Sequence, residues 1–214
     1  MTQIVSNTQV EQRFAGYQQL TVRQKKRWLE ILTSWEVKNT YEVFDGSGAP
    51  VLRVREQGSG LLSILKRMFL GPMRPLHVLV TEILSSQPVL ELRRPFRFIF
   101  HRIEVSLPGS GAALGVVHKR WSWFRRIYDI ENEHGQVIAE LFGPILKPWT
   151  FEIRVNDQAV GAVRKRWSGL GKEMFSDADN FGVDLSGIHD PKLKLLAFAA
   201  VVLIDVVHFE NSKN

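Results

Sequence analysis

The chain has 214 residues, of which 44% are hydrophobic and 23% are charged, so it is long enough and apolar enough to bury a core. It contains no cysteine, which excludes disulfides, thiolate metal sites and a cysteine nucleophile. The 28 Lys and Arg residues against 22 Asp and Glu give a net charge of +6, which favours anionic partners such as nucleic acid or acidic lipid.

The first part of the chain shows little periodicity. Residues 1–20 have no repeating apolar pattern, so we expect a flexible N-terminal segment that extends to about residue 24. The stretch TVRQKKRWLEIL at 21–32 collects some of its apolar residues on one face, and it begins with Thr21, which suits the N-cap. We therefore predict a helix over 21–32.

The middle of the chain predicts short strands. Four stretches follow one plan, in which an alternating apolar run reaches a polar or glycine-bearing turn and a second apolar run returns: 41–54, 102–120, 128–141 and 151–165. That plan is typical of β-hairpins. Single strands also fit 77–84, 88–94 and 96–100. Hairpins that recur this regularly predict an antiparallel barrel or sandwich.

A stretch between two of the predicted strands, SGLLSILKRMFLGPMRP at 59–75, mixes apolar and basic side chains. Phe69 and the neighbouring leucines could enter a bilayer while Lys66, Arg67 and Arg74 meet lipid phosphates, a mixture that is typical of interfacial helices. The same pattern also fits an amphipathic element packed on the barrel, and the sequence favours neither alternative.

A unit of two basic residues and a Trp occurs twice, in HKRWSWFRR at 118–126 and in RKRWSG at 164–169. Its Trp and Arg side chains have the chemistry to line a headgroup or nucleotide site, through stacking and bidentate phosphate contacts. The alternative places the Trp in the core and the Arg in solvent, and the usual burial of Trp favours it.

Four aspartates fall within the stretch FSDADNFGVDLSGIHD at 175–190. An EF-hand would need oxygen ligands where this stretch has Phe181 and Ile188, so the stretch is not an EF-hand. Short acidic residues also favour turns and helix starts, and the spacing alone favours that interpretation over a calcium site.

The last apolar stretch predicts a buried helix. Asp190 suits the N-cap and Pro191 suits the first helical position. Residues 195–204 include no polar side chain, and a helix that is apolar all round is buried in a core or in lipid. Asp205 and His208 interrupt the run before it reaches the roughly 20 residues that a bilayer requires. We therefore predict a β-barrel threaded by this helix.

The predicted helix also carries polar side chains. Lys194, Asp205 and His208 fall within about 60° of one another in a helical projection. A single polar stripe of this kind would be explained by polar groups on the wall that surrounds the helix.

Two C-terminal stretches carry a family resemblance: NDQAVGAVRKRWSGLGKEMFSDADNFGVDL and LLAFAAVVLIDVVHFE. They resemble the phospholipid scramblase family, whose signature is a VGxIxKxWxGxxxExFTDADxF run and a final apolar helix that ends LIDxxxFE. The match extends upstream through WEVKNTYEVFDGSGAPVLRVRE, RRPF and GPILKPWTFEIRVND, so that it covers about residues 25–211. Many coupled positions make it more specific than a single motif.

The resemblance implies a fold similar to that of tubby-like proteins. In that fold a closed antiparallel β-barrel of about 12 strands is wrapped around a hydrophobic C-terminal α-helix, and a barrel of this strand number has room for a helix. The expected division is a flexible N-terminal segment at 1–24 and a barrel domain at 25–214.

The resemblance also bears on the acidic stretch, because in animal members of the family this segment is a calcium-binding loop. It implies Ca²⁺ at Asp177, Asp179, Asp184 and Asp190. Ile188 stands where the family has an acid. Calcium prefers six to eight oxygen ligands, so we expect a weak site at most, and Asp190 also suits a helix cap.

The function that the resemblance implies is phospholipid binding and energy-independent, Ca²⁺-dependent movement of phospholipid between leaflets. The expected partner is an anionic phospholipid membrane, and the expected location is the cytoplasmic face of the plasma membrane or the cytoplasm. A headgroup in transit needs a polar route across about 30 Å of hydrocarbon, which one interrupted helix cannot line. A non-transporting lipid-binding or regulatory barrel is therefore an alternative. The tubby resemblance and the positive charge make a nucleic-acid-binding regulatory barrel another alternative.

Enzyme signatures are missing from the sequence. It contains no G-x-S-x-G elbow, P-loop or HExxH motif, so we expect a protein that is not an enzyme and has no catalytic residues.

Overall fold

The computed structural model describes residues 6–24, 40–57, 75–95, 101–147, 149–166 and 180–204, which contain twelve strands and two helices. The strands are β1 (Gln19–Gln24), β2 (Thr40–Asp45), β3 (Pro50–Glu56), β4 (Leu76–Glu82), β5 (Pro88–Arg94), β6 (Arg102–Ser106), β7 (Ala113–Arg120), β8 (Arg126–Asn132), β9 (Val137–Gly143), β10 (Thr150–Val155), β11 (Gln158–Arg166) and β12 (Asn180–Asp184). The helices are α1 (Asn7–Ala15) and α2 (Pro191–Ile204).

The described strands form a closed antiparallel barrel in which each strand pairs with its neighbours in the sequence. β1 pairs with β12 as well as with β2, and the β1–β12 pairing closes the barrel. Because side chains alternate along a strand, closure directs every second residue inwards. The predicted fold, a closed barrel of about 12 strands with a C-terminal helix, is confirmed.

The hairpin predictions agree with the observed strands. The stretches 41–54, 102–120, 128–141 and 151–165 correspond to β2–β3, β6–β7, β8–β9 and β10–β11. The predicted strands at 77–84 and 88–94 are β4 and β5, whereas 96–100 lies outside the described residues. Gly48 and Gly135 adopt φ angles of 85° and 75° in two of the turns, a conformation that glycine adopts without strain.

β12 lies inside the stretch that we expected to be only an acidic loop. It pairs with β11 on one side and with β1 on the other. Phe181 and Val183 are buried, and they alternate with the less buried Gly182 and Asp184. This alternation is the strand signal that the four aspartates obscured.

Residues 6–24 form a helix and a strand, although we expected a flexible segment over 1–24. Ser6 and Gln9 form a capping box that begins α1, with hydrogen bonds of 3.3 and 3.2 Å between each side chain and the other residue's backbone N–H. The buried Phe14 ring lies 5.7 Å from the ring of Phe198 in α2. A helix of nine residues is marginal by itself, so its stability comes from this tertiary contact.

The helix that we predicted over 21–32 does not begin at Thr21. Thr21 lies in β1, with the buried side chains of Leu20 and Val22 on either side of it. Two inward-facing positions on a six-residue strand leave too short an alternation to recognise beside a strongly basic run. Residues 25–32 lie outside the described part of the chain.

α2 lies inside the barrel, and residues 193–204 are all buried. Asp190 caps the helix as predicted, because its Oδ1 accepts the backbone N–H of Lys192 at 2.9 Å. The barrel wall approaches the helix closely at Gly115, where a Cβ would lie 2.8 Å from Cδ1 of Leu196. The C-terminal helix is therefore the centre of the core.

The hydrogen-bond partners of the buried Lys194 side chain do not lie on the strands of the barrel wall. Its Nζ donates to the backbone oxygens of Ala15 at 2.9 Å and Tyr17 at 2.8 Å, and burial lowers its pKa. We expected polar partners on the strands, but the partners lie at the end of α1, where helix carbonyls lack intrahelical donors. Asp205 and His208 lie outside the described residues.

The barrel has two different ends, because successive connections in an antiparallel barrel alternate between them. The helix end carries α1, the first residues of α2 and tight turns such as 156–157. The loop end carries the β7–β8 loop (121–125) and the β9–β10 loop (144–149). The strands on either side of 58–74 and 167–179 also end or begin at the loop end.

Candidate functional site

Exposed large apolar side chains are concentrated at the loop end. Eight such side chains are exposed among the described residues, and only Leu84 and Val137 of these lie towards the helix end. The other six form what we call the loop-end surface: Trp121, Trp123, Phe124, Ile145, Leu146 and Trp149. Scattered single apolar residues are normal on a protein surface, whereas a cluster of this kind marks an interaction site.

The β7–β8 loop contributes three aromatic side chains. Trp123 and Phe124 are 78% and 81% exposed, and the Trp121 ring meets the Trp123 ring edge to face at 4.9 Å. The backbone of this loop is held by a hydrogen bond of 3.2 Å from the N–H of Arg125 to Oγ of Ser122. The loop is thus ordered while its aromatic side chains face solvent.

The β9–β10 loop contributes two aliphatic side chains and a third Trp. Ile145 and Leu146 are 64% and 94% exposed at the tip of the loop. Trp149 is less exposed, and Nζ of Lys165 lies 5.4 Å from its ring centroid. A cation so close to an indole face is stabilising, so it fixes the Trp149 side chain at the base of the loop.

Arg126 joins the two loops. It is the first residue of β8, directly after the β7–β8 loop, and its Nη2 donates to the backbone oxygens of Pro144 at 3.2 Å and Lys147 at 3.1 Å. The guanidinium also lies 4.7 Å from the ring centroid of the buried Phe151. One side chain therefore holds the second loop beside the first.

The charge around the loop-end surface is positive. Neither loop contains an Asp or Glu, and Arg125 and Lys147 are exposed within them. Arg120, at the end of β7, is instead held by acidic partners, with hydrogen bonds of 2.8 Å to Asp129 and 3.3 Å to Glu140. The loop-end surface is thus apolar at its tips and basic beside them.

Basic residues also face inwards at the loop end. Lys119 lies opposite the buried Tyr128 in the β7–β8 register, and cross-strand neighbours share a face of the sheet. His101 accepts the backbone N–H of Lys119 at 2.8 Å through its carbonyl oxygen. Burial, and then the charges of Arg94 and Lys119, lower the pKa of His101 to about 4. His101 is therefore neutral at physiological pH.

The structure distinguishes between the two interpretations of the first basic–Trp unit. Trp121 and Trp123 are exposed, so the alternative that placed them in the core is wrong, while Trp167 of the second unit lies outside the described residues. The sequence did not lead us to predict Ile145 and Leu146 as part of a surface. The available signal was an apolar pair between two prolines, a composition that predicts a loop and not a strand.

The predicted lipid-binding residues lie outside the part of the chain that the structure describes. They are Lys66, Arg67, Phe69 and Arg74. The strands before and after them, β3 and β4, end and begin at the loop end. The sequence-based candidate is thus connected to the same end of the barrel as the loop-end surface.

Two of the four aspartates that we predicted as calcium ligands, Asp184 and Asp190, lie in the described part of the chain. Oδ1 of Asp184 accepts hydrogen bonds from the N–H and hydroxyl of Ser186, at 3.1 and 2.7 Å, and Asp190 caps α2. Asp177 and Asp179 lie outside the described residues. Within the described ranges no three His, Asp or Glu side chains form a metal-binding group. Asp184 and Asp190 thus each use one carboxylate oxygen in a local hydrogen bond.

Comparisons with known proteins agree on one family. A family model described as Scramblase matches residues 1–211. The chain is 30% identical to phospholipid scramblase 1 of Mus musculus, over 94% of this chain and 63% of that protein. It is also 30% identical to phospholipid scramblase 1 of Homo sapiens, over 91% of this chain and 64% of that protein. The chain thus spans less than two thirds of the length of these two relatives.

The barrel also resembles a solved structure. The X-ray structure of a protein from Arabidopsis thaliana matches with a TM-score of 0.51 and 16% identity, over 90% of this chain and 92% of that one. This likeness shows a shared tubby-like fold. None of the helices in the described ranges combines the length and hydropathy that a bilayer-spanning segment requires. By its match over nearly the whole sequence, the chain belongs to the phospholipid scramblase family.

Proposed function

We propose that the chain binds anionic phospholipid membranes with its loop end and takes part in the energy-independent movement of phospholipid between leaflets. The relatives are named phospholipid scramblases, which makes phospholipid the expected partner. The single observation that carries membrane binding is the loop-end surface, where six exposed apolar side chains stand beside exposed basic residues. In this proposal the chain acts by binding lipid, not by covalent catalysis.

The chemistry of the loop-end surface fits the membrane interface. Trp side chains favour the headgroup region, and aliphatic side chains gain about 0.8 kcal/mol for each buried CH₂. Each Lys or Arg near an anionic bilayer adds about 1 kcal/mol. Arg125 and Lys147 are placed to make that contribution, because they lie in the same loops as the apolar side chains.

Vesicle flotation tests membrane binding by this end. Vesicles of phosphatidylcholine alone are compared with vesicles that also contain phosphatidylserine. Trp123→Ser combined with Leu146→Ser removes two exposed apolar side chains. We expect the affinity of this variant for the anionic vesicles to fall by about tenfold or more. Leu84→Ser is the control, because Leu84 is 93% exposed against 94% for Leu146 but lies towards the helix end. Equal binding by the double variant and the control would contradict the proposal.

Lipid movement needs a separate assay. Purified protein is reconstituted in vesicles that carry a fluorescent phospholipid in both leaflets, and dithionite then bleaches the label that it can reach. A binder leaves the inner-leaflet label protected, whereas a scramblase exposes it. Protected inner-leaflet label in the presence of bound protein would leave the chain as a non-transporting lipid-binding barrel.

A calcium requirement and the site of action are further proposals. Calcium control would depend on Asp177, Asp179, Asp184 and Asp190. The last two each use Oδ1 in a hydrogen bond within the chain, which leaves Oδ2 as their oxygen for the ion. Isothermal titration with Ca²⁺ tests this, and an identical heat from Asp177→Asn would contradict it. The net charge of +6 supports the cytoplasmic face of the plasma membrane, where anionic lipid is enriched. A nucleic-acid partner is tested by competition with an oligonucleotide in the flotation assay.

A further inference from the structure

The two loops of the loop-end surface share one fastening residue. Arg126 follows the β7–β8 loop in the chain, and its side chain donates to two carbonyl oxygens of the β9–β10 loop, at 3.2 and 3.1 Å. The oxygen of Lys147 also accepts the N–H of Thr150 at 3.1 Å. The guanidinium is stacked 4.7 Å from the ring centroid of Phe151, whose side chain is buried in the core. Arg126 and the strand that follows the loop therefore hold the β9–β10 loop against the barrel.

We propose that the β7–β8 and β9–β10 loops enter the membrane as one preformed unit, in which Arg126 positions the second loop beside the first. This inference rests on the proposed membrane binding by the loop end, and it adds which residue positions the second loop for that binding. Arg126 itself need not touch lipid, because it acts through the backbone of the loop that carries Ile145 and Leu146.

Two physical arguments support a positioning role. Backbone carbonyls that enter a low-dielectric layer need hydrogen-bond donors for their lone pairs. The oxygens of Pro144 and Lys147 each accept one backbone N–H, from Lys147 at 3.2 Å and from Thr150 at 3.1 Å, and Arg126 supplies the second donor to both. A loop that is already ordered also loses less conformational entropy on binding than a loop that must be ordered by the membrane. Both arguments concern the β9–β10 loop, since the β7–β8 loop has its own hydrogen bond from Arg125 to Ser122.

The chain offers a clean way to measure the depth of each loop separately. It contains no cysteine, so Phe124→Cys and Leu146→Cys each create one labelling position, at side chains that are 81% and 94% exposed. An environment-sensitive fluorophore is attached at either position. Quenching by spin-labelled phospholipids in phosphatidylcholine–phosphatidylserine vesicles then reports how deeply each loop enters the bilayer. We expect both probes to be quenched in the otherwise unchanged chain.

Arg126→Gln should separate the two loops. We expect quenching of the probe at 146 to fall about threefold or more, while the probe at 124 keeps most of its quenching. Arg125→Gln is the matched control, because it removes the same charge from the adjacent position but leaves the hydrogen bonds to Pro144 and Lys147 in place. This control should weaken membrane binding of the whole protein. The quenching of both probes should then fall together, and the ratio between the probes should stay constant.

A more conservative variant tests the same role in case Arg126→Gln does not fold. Arg126→Lys keeps the charge but loses the planar guanidinium that reaches both carbonyls and stacks on Phe151. The same split between the probes is expected, in smaller degree, with thermal unfolding measured for every variant. An unchanged ratio in folded Arg126→Gln or Arg126→Lys would overturn the positioning role. If neither probe enters the bilayer even with Arg126 present, membrane binding by the loop end itself fails, which is a distinct result.

Discussion

At the scale of single residues, His101 makes the free energy of unfolding depend on pH. Burial and the neighbouring charges of Arg94 and Lys119 lower its pKa from 6.5 to about 4 in the folded protein. Between these two values the unfolded chain binds more protons than the folded chain. The free energy of unfolding should therefore fall as the pH drops from about 6.5 to about 4.

His101→Gln tests this contribution, because it removes the titrating group and keeps a polar side chain. We expect the loss of unfolding free energy between neutral pH and about pH 4 to be smaller in the variant, by on the order of 2 kcal/mol. Urea unfolding at a series of pH values provides the measurement. His134→Gln, in the exposed β8–β9 turn, is the control for removal of a histidine elsewhere in the chain. An identical pH dependence in all three proteins would contradict the assignment to His101.

At the scale of elements, the approach between β7 and α2 depends on one glycine. A Cβ on Gly115 would lie 2.3 Å from the backbone oxygen of Glu131 on β8 and 2.8 Å from Cδ1 of Leu196 on α2. A backbone oxygen cannot move aside as the end of a flexible side chain can. The position therefore excludes any side chain unless the strand or the helix shifts.

Gly115→Ala should consequently destabilise the barrel despite its small size. We expect a loss of about 2 kcal/mol in the free energy of unfolding, within the range known for overpacked cores. Gly46→Ala is the control, since the nearest atom to its added Cβ would be 3.8 Å away, and its effect should be within about 0.5 kcal/mol. Urea unfolding followed by Trp fluorescence measures both. Equal stability of the two variants would show that neither β8 nor α2 excludes a side chain at position 115.

At the scale of the whole molecule, Lys194 ties the N-terminal helix to the central helix. Its Nζ bonds to Ala15 and Tyr17 link residues about 180 positions apart in the sequence, and they cover the helix end of the barrel. Phe14 packs on Phe198 beside this link. α1 and α2 therefore stabilise each other, although the sequence of neither helix indicates that the other is its partner.

Lys194→Met should loosen this arrangement. The variant keeps a long apolar side chain but leaves two carbonyl oxygens without their donor, so we expect a loss of about 1–3 kcal/mol. Lys192→Met removes only a surface ion pair with Glu133 and should cost less than about 1 kcal/mol. Hydrogen exchange gives a specific readout, because amides of α1 should exchange faster in Lys194→Met while amides of β4 and β5 change less. Uniform changes across the chain would argue against a local tie.

Sequence patterns alone predicted most of the strands, the α2 helix and its Asp190 cap. These features are local, because alternation along a strand and apolar character all round a helix can be read over a few consecutive residues. The resemblance of coupled motifs added the family and the number of strands in the barrel. We did not predict α1 and β1, because the contacts that stabilise them are made with α2 and β12, which are distant in the sequence.

The tertiary structure alone decided which side chains share the loop end. Trp123 and Leu146 lie in separate loops, and barrel closure with an antiparallel order of strands brings both to one end. It also decided that Lys194 bonds to α1 and that Arg126 reaches the next loop. The physical reason is that such contacts join residues distant in the chain, and no local pattern encodes the position of a partner that only the closed sheet provides.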